Sequence, residues 1–161
     1  MKISSILLIV NTLLLIVIWA FAGIKYAALP EVIPTHFDFQ GNVDGESGKT
    51  AIWALPCIAT FISVLFVGIS RDPNSTLLNV PKSFRNKETL ELYVFSLQLP
   101  VMLLFLDIIL ESVRIAEGKQ TDLSNAIFII LGLLFTVIGV GLVKSIQESF
   151  TKKSNDKSNQ N

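Results

Sequence analysis

Side chains able to do chemistry are scarce in this sequence. Most lie between Leu29 and Lys49, in LPEVIPTHFDFQGNVDGESGK. The one histidine, His36, sits there with Asp38, Asp44 and Glu46 close behind it. An imidazole among carboxylates can ligate a metal, respond to protons near neutral pH, or hold a loop by hydrogen bonds. A zinc site asks for several His or Cys ligands, and the only cysteine, Cys57, lies inside an apolar run. A calcium loop counted from Asp38 places Val43 where glycine is needed and Lys49 where the last glutamate is needed. No metal and no cofactor is therefore expected. Ser47 or Thr35 beside His36 is the nearest approach to a nucleophile and its base. GxSxG, HExxH and phosphate-loop patterns are missing, so catalysis is not expected.

A second group of ionisable side chains lies in an apolar run. Asp107, Glu111 and Arg114 stand at i, i+4 and i+7, on one face of a helix. A carboxylate inside a membrane is costly and marks an ion or proton path by default. Alternatively Asp107 reaches the interface or pairs with Arg114. Asn11 is the polar residue inside the first apolar run.

The elements that must position these groups are apolar blocks. The chain has 161 residues, 51% apolar and only 16% charged, with a mean hydropathy of +0.59. Soluble domains carry about a quarter charged residues. Thirteen basic and thirteen acidic residues cancel, which argues against a nucleic-acid-binding face. Four runs are long enough to cross a hydrocarbon layer of about 30 Å: Ile3 to Ile24, Thr50 to Ser70, Thr89 to Val113 and Ser124 to Val143. Ala20-Phe21-Ala22 before Gly23 also fits a signal-peptidase site, although the run is longer than a signal core. Pro56 falls in the first turns of the second run, and Thr60, Ser63 and Val67 follow it at helical spacing. Pro100 predicts a kink in the third run. Asp122 or Ser124 can cap the fourth, whose Gly132 and Gly139 predict close helix contact. The stretch 71–89 reads as a connecting loop, or as a short amphipathic surface segment carrying Leu77, Leu78, Val80 and Phe84.

Lysine and arginine in short loops favour the cytoplasm. With the N-terminus inside, nine of the basic residues fall on the cytoplasmic side and four outside. This predicts a multi-pass protein of a bacterial cytoplasmic (inner) membrane, N-in and C-in, with the polar stretch extracytoplasmic. The expected architecture is all-α integral membrane: four transmembrane helices, with a short extended, hairpin-like loop between helices 1 and 2. Residues 1–49 hold the first helix and the loop, 50–148 three further helices, and 149–161 a disordered polar tail.

Within the loop, Leu29-Pro30 and Ile33-Pro34 force an extended chain. Thr35, Phe37 and Phe39 then alternate with His36 and Asp38, which is strand periodicity. The phenylalanines are expected to face the membrane or bundle, and His36 and Asp38 the water. Gly41, Asn42, Asp44 and Gly45 signal turns. A lone hairpin is marginal, so it must dock on the helices.

The spacing LP-x2-IP-x-HF-x3-G-x2-D over residues 29–44, after Tyr26 and before Lys49 and Pro56, resembles that of an uncharacterised bacterial membrane-domain family. That domain also forms the N-terminal part of immunity proteins against a sporulation-delaying toxin. The likeness covers about residues 12–60 and implies kinship with the shorter stand-alone members of unassigned activity. Because the most patterned residues lie here, Pro30, Pro34, His36, Phe37, Asp38, Gly41 and Asp44 are expected to form the ligand or partner loop.

Three functions stay open. The chain is a sensing, immunity-like or accessory protein that recognises a peptide or envelope protein through the loop. Or it is a small transporter or proton-coupled carrier, oligomeric, that uses Asp107 and Asn11. Or it is a structural subunit of a larger membrane complex. The lipid bilayer is the partner common to all three, and nucleic acid is expected in none.

Overall fold

The structure, a computed structural model, describes residues 2–74 and 82–158. Helix α1 is Ile3–Tyr26, strands β1 and β2 are Val32–Phe37 and Val43–Gly48, and a 3-10 turn, Lys49–Trp53, leads into α2, Ala54–Arg71. A second 3-10 turn, Lys82–Arg85, precedes α3, Lys87–Ala116, and α4 is Ala126–Ser158. The 24 residues of α1 make a rod of about 36 Å at ~1.5 Å per residue. Four helical stretches are long and apolar enough to cross a membrane, the composition of a multi-pass membrane protein. The antiparallel hairpin β1–β2 sits between the first and second of them.

Helix α3 is the hub, packing against α1, α2, α4 and strand β1. Asn86 starts it by accepting the Thr89 N–H at 2.8 Å, which satisfies a donor that the first turn leaves free. It runs as one helix through buried Pro100. Two apolar clusters lie along it. One, at the hairpin end, joins Ile18 and Ala22 of α1, Ile33 of β1, Ala59 of α2, and Ile109 and Val113 of α3. The other joins Leu90, Val94 and Phe95 to Leu7, Phe66 and Ile69. Polar contacts also fix the helices' register. Asn11 Nδ2 donates to the Phe95 carbonyl at 3.0 Å, and Gln98 Nε2 donates to Ser63 Oγ at 3.1 Å. In lipid each such bond contributes about 0.6–2 kcal/mol. At the far end of α3, Phe84 stacks on Tyr93 with ring centroids 4.8 Å apart.

Three expectations are corrected. The polar tail from 149 is helical as far as Ser158, because no glycine or proline interrupts the chain after Gly141. Among the described residues, a Cβ at Gly132 or Gly139 would meet nothing within 4 Å; the close approach is at Gly141, where a Cβ would stand 2.7 Å from Tyr93 Cζ. Asp44 and Gly45 belong to strand β2, so the turn is confined to the segment between Phe37 and Val43. Residues 75–81, with Leu77, Leu78 and Val80 of the suggested amphipathic segment, lie outside the described residues, as do 159–161 of the tail.

Candidate functional site

The hairpin is pinned at its base, its turn and its underside. At the base, the Lys49 N–H donates to the Glu31 carbonyl at 2.9 Å, and Lys49 Nζ donates to Glu31 Oε1 at 2.8 Å. The same ammonium lies 5.7 Å from the centre of the Tyr26 ring. Tyr26 and Trp19 flank Trp53 at 5.4 and 5.9 Å, so aromatic rings gather where the helices meet the hairpin. Trp19 Nε1 also donates to Thr60 Oγ1 at 2.9 Å.

Asp38 clasps the turn. Its carboxylate accepts the Gln40 N–H at 2.8 Å, and the Asn42 N–H and Nδ2 at 2.9 Å each. The Asn42 side-chain hydrogen bond, with the turn's backbone N–H groups, holds its carboxyl below the usual range. Gly41 has φ +88, a conformation costly for other residues. A Cβ there would also lie 3.1 Å from Leu123 Cβ. The close approach serves a bond: the Leu123 N–H donates to the Gly41 carbonyl at 2.9 Å, and Asn42 bridges to Asp122. The turn is thus tied to the connection between α3 and α4.

That connection has its own anchors. Glu111 is 3% exposed, and its Oε2 accepts the Ser124 N–H at 2.8 Å. Ser124 Oγ in turn accepts the Ala126 N–H at 3.2 Å, one residue ahead of the N-cap position of α4. Glu117 accepts from Lys25 Nζ at 2.8 Å and Lys119 Nζ at 2.6 Å. Hydrogen bonds from Lys119 and then Lys25 pull its carboxyl down to about 2.

Two bulges break the strand alternation. Thr35 is extra on β1 between Pro34 and His36, and Asp44 is extra on β2 between Gly45 and Val43. Ile33 and Pro34, before the first bulge, are both buried, with Pro34 opposite Glu46. The second brings Asp44 to His36, whose Nδ1 donates to Asp44 Oδ1. Gly45 makes this possible: a Cβ there would sit 2.9 Å from His36 Cβ. His36 and Asp44 keep 75% and 44% of their side chains exposed, so the bound imidazole still presents its Nε2 outward. Phe37 is half-buried. Phe39 does not pack on the bundle; it is 97% exposed, beside Ile127 and Phe128 at the start of α4.

The seven loop residues therefore divide by role. His36 and Asp44 form an exposed, oriented pair. Pro34, Asp38 and Gly41 build the frame, Phe37 lies partly against it, and Pro30 is exposed where the chain leaves α1. The intramembrane candidates lie elsewhere. Asn11 is fully buried on α1, bonded to Phe95, with Oδ1 left unpartnered. Asp107 is half-buried on α3, with one buried oxygen unpartnered. Among the described residues it makes no ion pair with Arg114, and no group of three His, Cys, Asp or Glu side chains could hold a metal. Sequence reasoning named Glu111 only as a neighbour of Asp107. Its place one turn from the end of an apolar run, thirteen residues before Ser124, was the available signal.

Residues 13–60 match the family model of a domain of unknown function (DUF1648). No curated protein and no solved structure matches the chain. The matched stretch takes in the second half of α1, the whole hairpin and the first turns of α2.

Proposed function

We propose that this is a multi-pass membrane protein that recognises a peptide or envelope protein through the outer face of its hairpin. On this reading the hairpin is extracytoplasmic and both termini face the cytoplasm, as the lysine and arginine distribution favours. The observation that carries it is the His36–Asp44 pair, held across two bulges on an exposed surface whose frame is tied down on every side. A pinned pair loses little freedom when a partner binds, so more of the contact energy appears as affinity. Exposed Glu46 on β2 and the Asp44 carboxylate beside it suit a basic partner segment. The reading is non-enzymatic, and a toxin-like peptide is one candidate partner on it.

A photoreactive residue at Glu46 tests it in the native membrane. The expected result is a discrete adduct that His36→Ala or Asp44→Ala removes at unchanged protein level and insertion. An adduct indifferent to both substitutions counts against recognition by this pair. A reporter fused after Lys49 checks the orientation.

A second reading rests on the unpartnered buried oxygen of Asp107. A carboxylate so placed suits a proton or cation path. Asp107→Asn then abolishes flux in proteoliposomes, and unchanged flux removes the reading.

A further inference from the structure

Beneath the hairpin, between α2 and α3, lies a cleft of about 250 Å³. Its walls include Leu55 and Ile58 of α2 and Ile108 and Ser112 of α3, and hydroxyls of Thr35 and Ser47 edge its strand side. Among the described residues, no charged side chain lines it. We propose that this cleft seats one bilayer lipid from the leaflet next to the hairpin, its acyl chain between the two helices and its ester region against the strand hydroxyls.

Size, chemistry and position agree on this occupant. A dry apolar cavity of about 150 Å³ already takes a benzene-sized guest, so this cleft has room for a longer stretch of hydrocarbon. The wall chemistry is that of a chain, and the polar edge offers neutral hydroxyl groups. Thr35 Oγ1 bonds Ser47 Oγ at 3.2 Å, a neutral pair suited to an ester carbonyl. Carboxylates or ammonium groups of a peptide would find no opposite charge within the cleft, where desolvation makes an unmatched charge costly. The cleft is also continuous with the apolar outside of the bundle. Ile58 is 47% exposed and Leu65, seven residues further along the same face of α2, is 45% exposed. A lipid lying along α2 therefore enters sideways without leaving hydrocarbon. The inference concerns the hairpin's underside and holds whether or not its outer face takes a partner.

The test uses the full chain in membranes containing a phospholipid with a diazirine on its acyl chain. Irradiation and peptide mapping are expected to give several-fold more lipid adduct at Ile58 and Ile108 than at Leu133, a lipid-facing residue of α4. Equal yields at the three positions mean ordinary annular contact and overturn the proposal. Native mass spectrometry of detergent-purified protein gives a second reading on the unmodified chain. One retained lipid per chain is expected; a bare chain, or an adduct with the mass of a peptide, overturns it. Ala51→Phe, which fills the cleft from the 3-10 turn, is expected to cut both signals several-fold, and undiminished signals count against the site.

Discussion

The hairpin turn is bonded to Leu123 in the connection that leads into α4, yet hairpin and helix are held in opposite ways. The hairpin is short, polar and bulged, and named hydrogen bonds locate it: Asp38 at the turn, Gly41 against Leu123, Glu31 with Lys49. Helix α4 is long and apolar, but only 6% of its most apolar window is buried, against 33% in α3. Phe128, Ile129, Phe135, Leu142 and Phe150 all face outward. In lipid an apolar side chain is as well accommodated by acyl chains as by protein. Apolar content therefore puts α4 in the membrane without saying what it touches. Its position against the rest depends on a few small or polar contacts: Gly141 with Tyr93, Glu148 with the Ser83 N–H, and Glu111 with Ser124.

The comparison breaks most sharply at Gly141. Gly141→Leu should force α4 off the Tyr93 ring at a cost of about 1–3 kcal/mol. A lower thermal midpoint in detergent should accompany new exposure of Tyr93, while hairpin amides keep their exchange protection. Equal loosening of the hairpin would show the two regions to be one cooperative unit.

Glu111→Ala comes next. It removes the carboxylate that accepts the Ser124 N–H, a charge-assisted bond that contributes about 1.5–3 kcal/mol. Because Ser124 neighbours Leu123, both regions should loosen here, with faster amide exchange in the hairpin turn and the first turn of α4. Glu111→Gln, which keeps an acceptor oxygen, should recover most of the loss.

Gly41→Ala should act on the hairpin alone. A Cβ at φ +88, pressed towards Leu123, costs about 1–2 kcal/mol. Faster exchange at Asn42 and Leu123 with an unchanged α4 would sharpen the contrast.

The smallest effect is that of pH. The Glu117 carboxyl is held at about 2, well below the usual 4.5, so the folded state favours its charged form. Its contribution is complete above about 4.5 and is lost as pH falls through that value towards about 2. Asp38, also depressed, changes in the same direction. Acid should therefore speed exchange at the hairpin turn and the end of α3 while leaving the middle of α4 unchanged. Glu117→Gln should flatten the response at the end of α3 and leave that of the hairpin turn.

Much of this architecture could be read in advance because hydrocarbon thickness and helix rise leave few ways to place four apolar runs. The prolines and the Thr35–Phe39 alternation likewise pointed to a strand. Bulge positions were hidden, since a bulge depends on which residues the opposite strand brings across. The role of Asp38 was hidden for a similar reason. As an acidic residue beside His36 it looked like a ligand, but its oxygens are taken by Gln40 and Asn42. Gly132 and Gly139 drew notice at their spacing, whereas Gly141 makes the contact, because helix rotation is set by the partner surface and α4 carries almost no polar face to betray it.

Local chemistry by itself decided the number of spans, the place of the polar stretch and its extended backbone, since hydrophobic length and proline geometry act within a segment. Only tertiary structure decided that His36 meets Asp44, that Gly41 fits against Leu123, that Glu111 holds the start of α4, and that a cleft opens under the strands. Each of these joins residues on separate elements, whose relative placement comes from packing and hydrogen bonds that no single segment encodes.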